Sequence, residues 1–183
     1  MRSSRLNLLT HVLLLLCWVL VLGLFFAKTE IQIEGANGWA ATLPTWRIEK
    51  HLLLDIFWGG RAMTGYHAWV FTFMFLVFNL PQVIIGRFSW RLEARCISAL
   101  MIFWIAEDFL WFLLNPAFGL ERFHPQYVPW HKHWIMGVPA DYITYLLFGI
   151  LLLIWSFMGA KEKLHSDATR GYWWQNSSGE RSY

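Results

Sequence analysis

The stretch CISALMIFWIAEDFLWFLL, residues 96–114, is long and apolar enough to cross a bilayer, yet it carries the adjacent carboxylates Glu107 and Asp108. A membrane-spanning helix needs about 20 mostly apolar residues. A charged residue at its centre costs about 2.5–3.5 kcal/mol on insertion scales. Two acids in succession must therefore be neutralised, paired, bound to a metal ion or reached by water. The stretch predicts both a spanning helix and a polar site inside it.

The composition of the whole chain is that of a membrane protein. Of its 183 residues, 57% are hydrophobic and 15% are charged, against roughly 25% charged residues in soluble domains. The 13 tryptophans also favour the boundary between head groups and hydrocarbon. Basic residues are scattered or close to the predicted spans, so nucleic-acid binding has no support.

Three further stretches resemble the first in length and hydropathy: residues 8–27, 66–85 and 138–158. We therefore predict an all-α membrane protein with four transmembrane helices. Residues 1–160 would form a single transmembrane domain, and residues 161–183 a polar cytoplasmic tail.

The positively charged residues predict the orientation. They gather in the N-terminal leader, in the short loop between the second and third spans, and in the tail. Four crossings put these three segments on one side, which the positive-inside rule makes cytoplasmic. We predict an integral protein of the cell membrane or inner membrane with both termini in the cytoplasm. The residues concerned are Arg2, Arg5, Arg87, Arg91, Arg95, Lys161, Lys163, Arg170 and Arg181.

The first outer loop, residues 28–65, has two predicted elements. The alternation in Ile31-Gln-Ile-Glu favours a short strand. Residues 46–58 place Ile48, Leu52 and Ile56 at near-helical spacing between terminal tryptophans, which is typical of an interfacial helix lying on the membrane.

The depth of the two carboxylates bears on their role. Adjacent residues point about 100° apart on a helix, so Asp108 shares a face with Trp104 and Trp111, and Glu107 points elsewhere. If the helix ends just before Asn115-Pro116, Asp108 lies roughly 9 Å below its outer end. A water-filled cleft can reach that depth. We predict that Glu107 and Asp108 are catalytic groups or metal ligands; the alternative is a polar pair that only fixes helix register.

Histidines cluster in the predicted outer region. His131 and His133 stand two apart in Trp-His-Lys-His-Trp, and in an extended chain their imidazoles would share one face. His67 begins the second span. We predict a metal centre of His131, His133, His67, Glu107 and Asp108, because such ligands suit Zn²⁺ or Fe²⁺. The alternative is that these histidines are polar groups at the membrane interface.

The function predicted from these residues is metal-dependent chemistry on a lipid-like substrate at an outward-facing carboxylate and histidine site. Two alternatives remain open: a non-catalytic or haem-binding subunit of a larger membrane complex, and a proton or metal-ion carrier. The expected partners are the bilayer, a lipid-like substrate and, under the subunit alternative, other membrane subunits. Asp141 is interpreted as an acid that stabilises the start of a helix, with a role as a ligand beside the histidine cluster left open. Asn115 and Arg122 are groups that could orient the substrate head.

Overall fold

The computed structural model describes residues 2–57 and 60–158, with side chains for residues 8–55 and 60–158. The tail predicted for residues 161–183 lies outside the described residues. Within them, four helices are long and apolar enough to cross a membrane, at Leu8–Glu34, Gly65–Ile85, Trp90–Leu114 and Ala140–Met158. The chain is therefore an integral membrane protein, and the predicted all-α fold with four spanning helices is confirmed.

The elements follow in a simple order. Helix α1 (Arg2–Glu34) leads into a loop that holds strand β1 (Arg47–Ile48), the short helix α2 (Leu52–Phe57) and strand β2 (Met63–Thr64). Helices α3 (Gly65–Ile85) and α4 (Trp90–Leu114) follow. A second loop contains a 3₁₀ turn (Leu120–Arg122) and strands β3 (Trp134–Ile135) and β4 (Val138–Pro139), and α5 (Ala140–Met158) completes the bundle. β1 pairs antiparallel with β2, and β3 with β4.

The strand predicted at Ile31 is wrong, because α1 continues as far as Glu34. Ala27 and Ile31 lie one helical turn apart and are both buried against Trp111 of α4, which gives this turn a packing reason to stay helical. The helix is followed by Gly35, whose φ of 64° is a left-handed conformation that glycine adopts without strain.

The interfacial helix predicted for residues 46–58 is shorter in the structure. It begins at Leu52, since Arg47 and Ile48 pair with Thr64 and Met63 as a two-residue ladder. The Arg47 guanidinium donates to the backbone carbonyl of Ala40, which ties this ladder to the end of α1.

Helix α4 lies at the centre and packs against α1, α3 and α5. It runs parallel to α1: Val19 packs with Phe103 near the middle, and Ala27 packs with Trp111 further along. Gly23 permits this approach, because an added Cβ would lie only 3.3 Å from the backbone nitrogen of Glu107. Small residues at such crossings are typical of membrane helices.

Helices α3 and α5 run antiparallel to α4. The Ser98 hydroxyl donates to the carbonyl of Gly149 at 2.7 Å, and Arg95 of α4 lies beside Ser156 nearer the other end of α5. We call the end where α1 and α4 finish and α3 and α5 begin the site end of the bundle. An apolar core of Val19, Met74, Phe78, Ala99 and Phe103 fills the middle.

Candidate functional site

A cavity of about 60 Å³ lies at the site end, and all four long helices and both loops contribute to its wall. A cavity needs about 10–15 Å³ of volume measured in this way to hold one water, so this one has room for a few waters or a small polar group. Its lining is aromatic and strongly polar, and consists of Glu30, Glu34, Trp39, Arg61, His67, Phe71, Trp104, Ile105, Glu107, Asp108, Trp111, Trp130, Asp141, Tyr142 and Tyr145.

The last turns of α1 supply two acids that the sequence analysis did not assign to the site. Glu30 and Glu34 lie one turn apart and are 8% and 5% exposed. The Tyr66 hydroxyl of α3 donates to Glu30 at 3.0 Å. The backbone N–H of Ala40 donates to Glu34 at 2.6 Å. Both acids are therefore held inside the bundle by neutral donors.

Glu107 is the most deeply buried acid of the cavity wall, at 3% exposure. Its carboxyl lies within hydrogen-bonding reach of the carboxyl of Glu30. Two carboxylates in contact repel, so a shared proton between them is favourable. Oxygen Oε1 of Glu107 has no hydrogen-bond partner among the described residues.

Asp108 belongs to a different arrangement, which we call the Asp-His-Asp chain: Asp108, His131 and Asp141. His131 Nε2 lies 3.1 Å from Asp108 Oδ2, and Nδ1 lies 3.3 Å from Asp141 Oδ1. The Tyr142 hydroxyl also donates to Asp108, and Arg61 forms an ion pair with Asp141. The chain ties the second loop to α4 and α5.

Burial shifts the pKa of two basic groups at the Asp-His-Asp chain, His131 and its neighbour Arg61, both of which lie outside the spans. Burial lowers the pKa of the His131 imidazole, and the nearby Asp108 carboxylate opposes that change. Burial likewise lowers the pKa of the Arg61 guanidinium, against the same carboxylate. An arginine nevertheless stays protonated at neutral pH, so Arg61 is a fixed positive charge on the cavity wall.

His67 is placed by the start of α3. Thr64 caps that helix by accepting from the backbone N–H of His67, and its hydroxyl also lies 2.6 Å from His67 Nδ1. The ring stacks on Trp39 with centroids 3.9 Å apart, and the Arg61 guanidinium lies 4.7 Å from the Trp39 ring. The other ring nitrogen, Nε2, lies 3.7 Å from Glu34.

Three buried polar atoms on the cavity wall have no hydrogen-bond partner among the described residues. They are the acceptor Glu107 Oε1 and the donors Arg61 Nε and Trp111 Nε1. Buried polar groups are nearly always paired. All three residues line the cavity, so its wall contains hydrogen-bonding capacity that no described residue satisfies.

The structure brings most of the predicted site residues together. Glu107, Asp108 and His67 line one cavity, and His131 contacts Asp108. His133 does not join them, because its side chain is exposed two residues beyond the buried His131.

The metal centre itself stays a prediction. Over residues 2–57 and 60–158, no group of three or more His, Cys, Asp or Glu side chains is arranged to hold a metal ion. His131 has both ring nitrogens directed at carboxylates, which leaves neither free for a metal ion.

Asp141 takes part in the Asp-His-Asp chain, besides lying in the first turn of α5. Asn115 and Arg122 do not line the cavity. Asn115 donates to the carbonyl of Gly35, and Arg122 donates to that of Ala117. Their contacts are those of residues that hold the loops in place.

Neither a known protein family, nor a curated protein sequence, nor a solved structure matches this chain.

Proposed function

We propose that this protein is a membrane enzyme that exchanges a proton with the polar end of a lipid-like molecule through Glu107. The single observation that carries the proposal is the unpartnered Oε1 of Glu107, buried on the same cavity wall as two unpartnered N–H donors. A buried proton acceptor and buried N–H donors in the wall of one cavity are the kinds of group that general base catalysis uses.

The chemistry follows from these atoms. Glu107 takes a proton from a carbon next to a substrate carbonyl, and the electron pair of that C–H bond moves toward the carbonyl oxygen. Trp111 Nε1 and Arg61 Nε donate to a substrate oxygen that gains negative charge. Glu30, in contact with Glu107, can hold the proton until it is returned. Asp108 keeps its place through His131 and Tyr142, so that only Glu107 of the adjacent pair is free to act.

A lipid-like substrate suits the location of the cavity. The surrounding helices present apolar faces, with Trp69 of α3 at 74% exposure and Leu147 of α5 at 58%, as expected of surfaces in contact with lipid. The cavity admits only a small polar end, at about 60 Å³. The apolar remainder of such a molecule would lie outside it, along the bundle.

The orientation of the protein forms part of the proposal. By the positive-inside rule, the loop with Arg87 and Arg91 faces the cytoplasm, together with both termini. The site end then faces outward. The substrate would enter from the outer leaflet.

Two alternative functions have less support from the geometry. A carrier needs polar groups across the whole thickness of the bilayer, whereas Val19, Phe78 and Phe103 fill the bundle beneath Glu107. A haem needs free axial nitrogens, whereas His131 is directed at two carboxylates and His67 contacts Thr64.

The proposal is tested with purified protein in liposomes that contain a total membrane lipid extract, in D₂O buffer. Untargeted mass spectrometry compares the lipids before and after incubation. We expect at least one lipid to gain deuterium or to convert to another species with the wild type. Glu107→Gln should abolish the change, because an amide cannot accept the proton.

Glu121→Gln is the matched control, since Glu121 is an exposed glutamate of the second loop and should leave turnover unchanged. Identical lipid profiles for the wild type and Glu107→Gln would refute the proposal. Elemental analysis of the same samples decides the metal question: stoichiometric zinc or iron, lost in Glu107→Gln, would restore the metal-dependent reaction in place of this one.

A further inference from the structure

We propose that the cavity recognises a primary ammonium group at the end of an apolar chain, which gives the substrate of the proposed reaction a chemical class. The inference rests on the proposed function for its location. Its own support is the balance of charge, the free acceptor on Glu107 and the size of the cavity.

Acids outnumber bases in the wall, even with one proton shared between Glu30 and Glu107. The one arginine among the lining residues, Arg61, is already paired with Asp141. His131 lies against Asp108, and His67 is 3.7 Å from Glu34. The acids of the lining are Glu30, Glu34, Glu107, Asp108 and Asp141. An anionic head group such as a phosphate would add charge of the same sign, while a cation would compensate these acids.

The acceptor on Glu107 indicates what kind of cation fits. Its Oε1 lacks a donor among the described residues, and its side chain is almost wholly buried. An ammonium N–H can donate to that oxygen in a charge-assisted hydrogen bond. A quaternary ammonium has no N–H to offer, and an alcohol has no charge to offer.

The aromatic wall and the volume of the cavity are also compatible with an ammonium group. Trp104, Trp111 and Trp130 contribute rings to the lining, and ring faces attract cations. The cavity of about 60 Å³ has room for a CH₂–NH₃⁺ end. Trp111 Nε1 is left to donate to water or to an oxygen next to the nitrogen.

The experiment uses the full-length protein in phosphatidylcholine nanodiscs, whose head groups carry no N–H. Isothermal titration calorimetry follows n-octylamine, octan-1-ol and octyltrimethylammonium, with empty nanodiscs as the blank for partitioning. We expect one octylamine site per protein, with a dissociation constant at least tenfold lower than for the other two probes. Glu107→Gln should weaken octylamine binding at least tenfold, and Glu121→Gln should not change it.

Equal affinity for octylamine and octanol, or octylamine binding that survives in Glu107→Gln, would overturn the inference. Zinc or magnesium titrated in the same way must not bind in a Glu107-dependent manner; if it does and octylamine does not, the site takes a metal ion instead. Glu30→Gln, which should also weaken octylamine binding, replaces Glu107→Gln if that variant fails to fold.

The two proposals fail separately. Turnover of a lipid that lacks an amine, with no selective octylamine binding, would remove the ammonium inference and leave proton transfer standing. Selective octylamine binding without any lipid turnover would refute the proposed proton transfer and leave the ammonium inference standing.

Discussion

Replacing His131 by alanine should destabilise the fold far more than the same change at His133, although the two stand two residues apart. The His131 side chain is fully buried, with its nitrogens 3.1 Å from Asp108 and 3.3 Å from Asp141. His133 is exposed. Alanine at position 131 leaves two carboxylates facing an empty space, whereas alanine at position 133 removes only an exposed side chain.

The magnitude follows from these contacts. Breaking a buried pair by removing one partner costs about 3–5 kcal/mol. Tyr142 still donates to Asp108, and Arg61 still pairs with Asp141, so the cost should lie at the lower end, about 3 kcal/mol. An exposed substitution such as His133→Ala stays within about 0.5 kcal/mol.

The assay is reversible unfolding of purified protein in mixed micelles with increasing SDS, followed by tryptophan fluorescence. His131→Gln, which keeps one donor and one acceptor, should recover part of the loss. Equal destabilisation by His131→Ala and His133→Ala would refute the reasoning, because it would mean that the two imidazoles act together, as the sequence-based metal prediction supposed.

Two further predictions concern the loops and the orientation. Gly38→Ala should lower the free energy of unfolding by at least about 2 kcal/mol, because Gly38 has a φ of 62° and an added Cβ would lie 2.8 Å from Trp130. The control Gly35→Ala, at a similar φ but with nothing within 4 Å of the added Cβ, should cost only about 1–2 kcal/mol. Equal losses in the same SDS titration would contradict the packing argument. Single cysteines in a background without Cys17 and Cys96 test the orientation: a membrane-impermeant maleimide should label Glu121→Cys in intact cells and Arg87→Cys only after the cells are permeabilised, and the opposite pattern would invert the proposed topology.

The four spanning helices were predictable from the sequence because bilayer thickness imposes a length and a hydropathy that few other structures require. The pair Glu107 and Asp108 was predictable for the same reason, since acids inside such a stretch need compensation. The different surroundings of the two acids were not predictable. Whether Glu107 or Asp108 meets His131 depends on the rotation of α4 against the second loop, which the sequence does not specify.

The acids of α1 were missed for a local reason. Glu30 and Glu34 follow Lys28, after the apolar run has ended, so they read as loop residues. Only the packing of Ala27 and Ile31 on α4 shows that the helix carries them into the bundle. Spacing did contain a signal, because Ala27, Ile31 and Glu34 recur at helical intervals.

Arg61 could not be found from the sequence, since it lies in an irregular loop and contacts Asp141, eighty positions later. The His131–Lys–His133 pattern did not show that His131 is buried and His133 exposed. An extended chain puts such a pair on one face, but the β3–β4 hairpin begins only at Trp134. The segment before it is irregular, so the alternation rule did not apply.

The parallel pairing of α1 with α4 has a consequence for biosynthesis. The ribosome delivers α1 to the membrane well before α4 is made, so Glu30 and Glu34 enter without the Tyr66 and Glu107 contacts that later hold them. Both acids lie in the last two turns of α1, where water can solvate them while the remaining spans are being inserted. A nascent chain halted before its third crossing therefore lacks α4 and the part of the cavity wall that α4 supplies.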